Sequence, residues 1–193
     1  ECHARLLVIF DRSGSMAEPW ETADGSEPRW RVAAQALDAA LTPLADRLTV
    51  GAILFPSPSA APSECGDVDP IGAQMPFDDG ERFLARWRNF WEAPSLGGST
   101  PLDAAFDRAD EALPVDDLVT AVVVLTDGQP TCRGEPLAEE HAAAWRTRGI
   151  KTWVVGLPGT GLDSEDVLNA IARAGGTDAY RPVDAPASLD DDL

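Results

Sequence analysis

The sequence predicts an α/β fold: a doubly wound, mainly parallel central sheet of about six strands flanked by helices. Three observations lead there. Apolar runs rich in β-branched residues recur at 6–10, 49–55, 120–126 and 151–157 without polar alternation, as strands buried on both faces do. Stretches with helical spacing separate them. The first and third of these runs end directly in Asp11 and Asp127, which places acids at the carboxyl edge of the sheet, where ligands bind in open α/β folds.

In chain order, the run at 6–10 is the first strand, and Asp11, Ser13 and Ser15 alternate in the loop after it. A polar, proline-containing loop follows over 16–28. Ser26 and Pro28 signal a helix start, and Trp30, Ala33, Leu37, Ala40, Leu41 and Leu44 fall on one face of a helix over 29–46, bent at Pro43. The strand at 49–55 leads into a Pro/Ser/Ala-rich loop over 56–66 and a weak edge strand near 68–75. Asp78 and Glu81 make a capping-box signature for a second helix with an aromatic face of Phe83, Leu84, Trp87, Phe90 and Trp91. Thr100 before Pro101 reads as the cap of a helix over 101–113. The Val-rich strand 120–126, a helix over 136–148, the strand 151–157, a helix over 163–174 and a short strand at 178–183 complete the pattern. The whole chain, 1–193, reads as one domain with its core over 5–185 and a solvated acidic tail over 186–193. Trp87, Trp91, Trp145 and Trp153 read as core, and His3 and His141 as structural or exposed.

Composition excludes several functions. A net charge of −18 with no basic cluster argues against nucleic acid. No apolar run is long enough to span a membrane. The chain has no initiator Met or signal-like segment and opens almost on a strand, as a mature or excised piece of a larger protein does, and a monomeric domain is expected. Cys2, Cys65 and Cys132 match no zinc spacing. Cys65 and Cys132 both follow strands at the carboxyl edge whereas Cys2 precedes one, so a Cys65–Cys132 disulfide is the expected pairing, with Cys2 free or paired elsewhere. Such a bridge implies an oxidising, extracytoplasmic setting (secreted, periplasmic or cell-surface); three reduced thiols in a cytosolic protein are the alternative.

The candidate chemistry lies in five side chains from three segments: Asp11, Ser13 and Ser15; Thr100; and Asp127. Two carboxylates and three hydroxyls form a hard-oxygen set suited to Mg²⁺ or Mn²⁺, with Ca²⁺ possible, rather than to a soft metal. Each part alone also describes a turn or a helix cap. Together, Asp11-Arg12-Ser13-Gly14-Ser15, Gly98-Ser99-Thr100-Pro101 and Thr126-Asp127-Gly128 resemble the three parts of the metal-ion-dependent adhesion site of von Willebrand factor A domains, including the inserted domains of integrins. The resemblance runs from about residue 5 to 185 and implies the Rossmann-like fold of that family. It also implies that Ser13, Ser15 and Thr100 coordinate a divalent ion through hydroxyls, with Asp11 and Asp127 acting directly or through water. Ser99, beside Thr100, is a second candidate hydroxyl.

The function this implies is a non-enzymatic, metal-dependent protein-binding module whose ion receives an Asp or Glu carboxylate of a partner protein. The rim is expected to include Glu18, Trp20, Glu21, Ser99 and Gly128, with Trp20 either facing a partner or folded back as a lid on the first helix. Two alternatives share the motifs: an intracellular subunit of a chelatase- or ATPase-type assembly, and a Mg²⁺-dependent hydrolase. The hydrolase is disfavoured because no Gly-x-Ser-x-Gly elbow is present, Ser13 lacks a base, and Asp11 is not followed by a second Asp.

Overall fold

The computed structural model describes residues 4–22, 25–58, 67–128, 130–160 and 162–183. Eight strands form among these residues: β1 (Ala4–Asp11), β2 (Pro19–Thr22), β3 (Gly25–Pro28), β4 (Leu48–Phe55), β5 (Met75–Asp79), β6 (Thr120–Thr126), β7 (Lys151–Gly156) and β8 (Arg181–Pro182). The helices are α1 (Arg29–Leu41), α2 (Gly80–Glu92), α3 (Leu102–Ala112), α4 (Ala138–Thr147) and α5 (Leu162–Ala174). Six strands make the main sheet in the order β5-β4-β1-β6-β7-β8. All pair in parallel except β5, which runs antiparallel to β4. This is the doubly wound sheet expected from the sequence.

β1 is central, paired on one side with β4 (Phe10 opposite Leu54) and on the other with β6 (Phe10 opposite Leu125). Its alternating side chains feed two apolar layers. Val8 and Phe10 pack with Leu37, Phe83, Trp87 and Trp91 under α1 and α2. Leu7 and Ile9 pack with Phe106, Trp145 and Ile171 under α3–α5. Both layers are built around aromatics, and one buried indole in each finds a hydrogen-bond partner. Trp87 Nε1 donates to the Ala34 carbonyl at 3.0 Å, and Trp145, stacked on Phe106, donates to Asp110 Oδ1 at 2.7 Å. Trp153 is half-buried rather than core, and His141 sits 2.8 Å from Asp107 Oδ1.

Several boundaries differ from expectation for local reasons. Pro43 lies in a 3₁₀ turn, Thr42–Leu44, so α1 ends at Leu41 instead of bending. The segment near 68–75 holds a 3₁₀ turn, Ile71–Ala73, and the edge strand starts only at Met75. Asp79, not Asp78, caps α2: its Oδ1 accepts from Arg82 N at 3.0 Å. Asp78 instead receives Arg86 at 3.0 Å. The expected loop over 16–28 contains the β2–β3 hairpin, with Trp20 opposite Glu27. Cys65, Cys2, His3 and the acidic tail lie outside the described residues.

Candidate functional site

Because β1 and β6 are neighbours, Asp11 and Asp127 emerge side by side at the carboxyl edge of the sheet. Asp11 is the last residue of β1 and wholly buried. Its Oδ1 accepts from the Ser13 amide at 2.7 Å, an Asx-type turn that reverses the chain at once. Its Oδ2 accepts from Thr126 Oγ1 at 2.6 Å, which bridges β1 to the end of β6. Arg12 points away, donating to the Pro56 carbonyl at 2.7 Å and pairing with Asp69 at 2.9 Å.

A single 3₁₀ turn, Gly14–Ala17, anchored by the buried Met16, then brings the two serines together. Ser13 Oγ and Ser15 Oγ are 3.1 Å apart, and Ser15 Oγ donates to Asp127 Oδ1 at 2.8 Å. The second segment reaches the first through its backbone: Gly14 N donates to the Gly98 carbonyl at 3.4 Å, and Gly97 N to the Arg12 carbonyl at 3.1 Å. Gly97 and Gly98 have φ of 142° and 81°, conformations that side-chain-bearing residues rarely adopt.

Thr100 is buried beside them. Its expected role as a cap is not what it does. The N-cap position of α3 is Pro101, with no side-chain cap. The Thr100 backbone is clamped by Thr131, whose Oγ1 accepts from Thr100 N at 2.8 Å and whose amide donates to the Thr100 carbonyl at 3.2 Å. This leaves Thr100 Oγ1 directed at the third segment, where it lies 3.8 Å from the place a Cβ would occupy on Gly128.

All three segments therefore meet. The electrostatics match the geometry. Burial, and then the neighbouring charge of Asp127, push the Asp11 carboxyl up to about 7 despite hydrogen bonds from Thr126 and Ser13. Burial likewise raises the Asp127 carboxyl, against the opposing pull of Arg29 and Ser15. Two acids strained against ionisation at one point amount to an unmet demand for positive charge. Among the described residues no three His, Cys, Asp or Glu side chains gather; the donor set is hydroxyl-rich.

Arg29 is a participant that the sequence does not disclose, and Thr126, which the sequence offers only as part of the third motif, takes a direct part through its bond to Asp11. Arg29, the first residue of α1, donates from Nη1 to Asp127 Oδ2 at 2.8 Å. The Thr126 bond to Asp11 spans 115 positions, which no local pattern discloses. Of the two expectations for Trp20, the structure agrees with the one that folds it back on α1. Trp20 is 4% exposed and belongs to the apolar layer with Met16 and Trp30, so it is not a contact surface. Glu18 and Glu21 are exposed, and Ser99 and Gly128 half-buried. Glu18 reaches the site through Arg29, whose Nη2 donates to its Oε2 at 2.8 Å.

The fold has clear counterparts among solved structures. BatB from Bacteroides thetaiotaomicron, a conserved hypothetical protein, superposes with a TM-score of 0.67 at 20% identity, over 98% of this chain and 96% of that one. The chain has the von Willebrand factor A fold. An open-conformation pilus adhesin, SpaC of Lactobacillus rhamnosus GG, shares it at a TM-score of 0.72 and 15% identity, over 99% of this chain but 29% of the adhesin. Proximal thread matrix protein 1 from the mussel byssus, solved with a zinc-occupied metal-ion-dependent adhesion site motif, shares it at 0.66 and 16% identity, over 98% of this chain and 43% of that one. No sequence-family profile and no curated protein matches the chain. At these identities the von Willebrand factor A likeness is one of fold. Among the described residues no helix is long and apolar enough to cross a membrane.

Proposed function

We propose that this von Willebrand factor A domain is a metal-dependent protein-binding module, in which Asp11, Ser13, Ser15, Thr100 and Asp127 hold a divalent cation that receives an acidic group of a partner protein. The observation that carries the reading is the pair of buried carboxylates linked through the Ser13 and Ser15 hydroxyls, with Asp11 pushed up to about 7. A hard-oxygen set of this kind fits Mg²⁺ or Mn²⁺, and Ca²⁺ less closely because few of the donors are carboxylates.

The residues divide the work. Ser13, Ser15 and Thr100 offer neutral oxygens to the ion. Asp11 and Asp127 supply charge from a buried position, Asp11 fixed by Thr126 and Ser13 and Asp127 by Arg29 and Ser15. Because Ser13, Ser15 and Thr100 would meet a divalent ion through neutral oxygens, the ion held there would supply an electrophilic centre for a partner's carboxylate. The occurrence of this fold in a pilus adhesin and a thread matrix protein supports an interaction role and an extracytoplasmic setting. We further propose the Cys65–Cys132 disulfide, in keeping with that setting; Cys132 is half-buried in the loop between β6 and α4.

The test is a binding screen of the domain, with Mg²⁺ and with EDTA, against extracellular proteins and Asp- or Glu-bearing peptides. Binding that needs the metal, needs a partner carboxylate and disappears in Asp11→Ala is the expected result. Partner binding unchanged by Asp11→Ala overturns the reading.

A further inference from the structure

Arg29 is the least expected member of the site. It opens α1, outside the three ligand segments, yet its side chain is only 11% exposed and stands over Asp127. Nη1 donates to Asp127 Oδ2 at 2.8 Å and to the Ser15 carbonyl at 3.3 Å; Nη2 donates to Glu18 Oε2 at 2.8 Å. A glycine cradles the far side. Gly159 has φ of 106°, and a Cβ built there would lie 2.5 Å from Arg29 Nη1 and 2.8 Å from Cζ. The guanidinium is thus wedged between the backbone of the β7–α5 loop and a carboxylate. The placement is not one that local packing would choose, because Arg29 Nε is buried without a hydrogen-bond partner among the described residues.

We infer that Arg29 is a tethered cation that competes with the divalent ion for Asp127, so that it lowers the site's metal affinity, and that Glu18 moderates this competition from the rim. The inference rests on the metal-binding reading above. Asp127 has Oδ1 on Ser15 and Oδ2 on Arg29, so its charge is already shared when an ion arrives. A divalent ion held by the serine hydroxyls would share Asp127 with the guanidinium, and the two positive charges would repel. Glu18 offsets that repulsion. It is 61% exposed, and a surface contact of this kind contributes little to folding, which leaves it electrostatic work without much structural work. The consequence is a site whose occupancy follows the surrounding divalent concentration instead of remaining permanently filled.

The competition has a sign that a scaffolding role does not share. If Arg29 only pinned Asp127 in place, removing it would loosen a ligand and weaken metal binding. If it competes, removing it strengthens binding. The experiment is calorimetric titration of Mn²⁺ alone into the wild-type chain, Arg29→Gln, Arg29→Lys and Glu18→Gln at low ionic strength. Arg29→Gln is expected to bind about fivefold tighter, Arg29→Lys within about twofold of wild type, and Glu18→Gln about threefold weaker, with the differences shrinking in high salt. Arg29→Gln binding equally or more weakly than wild type overturns the inference. Should that variant fail to fold, Glu18→Gln decides: unchanged affinity there overturns it. Wild-type chain that takes up no Mn²⁺ removes the metal-binding reading itself, whereas uptake by wild type with no gain in Arg29→Gln removes only the role assigned to Arg29.

Discussion

Replacing Asp11 with Asn separates the site's cost from its use. The carboxyl is held at about 7 against an ordinary 3.8, because it is buried next to Asp127. A folded-state value raised in this way means the folded protein binds the proton more tightly than the unfolded chain does. The group's contribution to stability is then full below about pH 4 and is lost as pH rises towards 7. The lost amount is about 4 kcal/mol at about 1.4 kcal/mol per unit. Asn fits the same place: Oδ1 can still accept from Ser13 N, and Nδ2 can donate to Thr126 Oγ1, whose hydroxyl has the Gly128 carbonyl 3.4 Å away. Allowing about 1 kcal/mol for the weakened hydrogen bonds, Asp11→Asn without metal should be about 3 kcal/mol more stable than wild type at about pH 8. The advantage should shrink towards pH 4. For a chain of this length that is a rise of about 8 °C in Tm. Urea unfolding in EDTA across this pH range measures it. In Mg²⁺ the ranking should narrow or reverse, since only wild type gains from the ion. An Asn variant less stable than wild type in EDTA at about pH 8, or an advantage that does not vary with pH, refutes the reasoning.

The other predictions concern the metal, the staple and the core. Affinity for Mg²⁺ should fall about tenfold per pH unit below about 7, because the Asp11 carboxyl must release its proton to solvent for the ion to bind, and titrations at a series of pH values check this. Mass mapping under non-reducing conditions should recover Cys65 and Cys132 on linked peptides, and reduction should cost about 4 kcal/mol of stability by the chain-entropy estimate. Gly80→Ala should destabilise by about 1–3 kcal/mol in chemical denaturation, since its Cβ would lie 2.6 Å from the Ala45 carbonyl oxygen. Trp87→Ala, which opens a void between α1, α2 and β1 and removes the indole hydrogen bond to the Ala34 carbonyl, should cost about 3–5 kcal/mol in the same assay.

What sequence reading delivers here is what is local. Apolar runs define β1, β4, β6 and β7 because a strand buried on both faces needs no partner to declare itself. Asp11, Ser13 and Ser15 are legible because they follow such a run directly. The hairpin of β2 and β3 was hidden, since its short strands are largely polar and Trp20 is buried by packing, not by any alternation in the chain. Thr100 looked like a cap because Thr-Pro opens many helices; the Thr131 clamp, which comes from the loop after β6, turns it to another use. Arg29 was illegible for the same reason. Its link to Asp127 spans 98 positions, and nothing in an Arg at the start of a helix announces a carboxylate across the sheet.

The central claim, that five oxygen-bearing side chains gather one divalent ion, is tested most directly by titrating Mn²⁺ into isotope-labelled protein and mapping the paramagnetic loss of amide signals. The account predicts that resonances of 11–15, 98–100 and 126–128 vanish first and together, and that excess Mg²⁺ restores them. Loss scattered over the acidic surface, or centred away from Asp11 and Asp127, would contradict it.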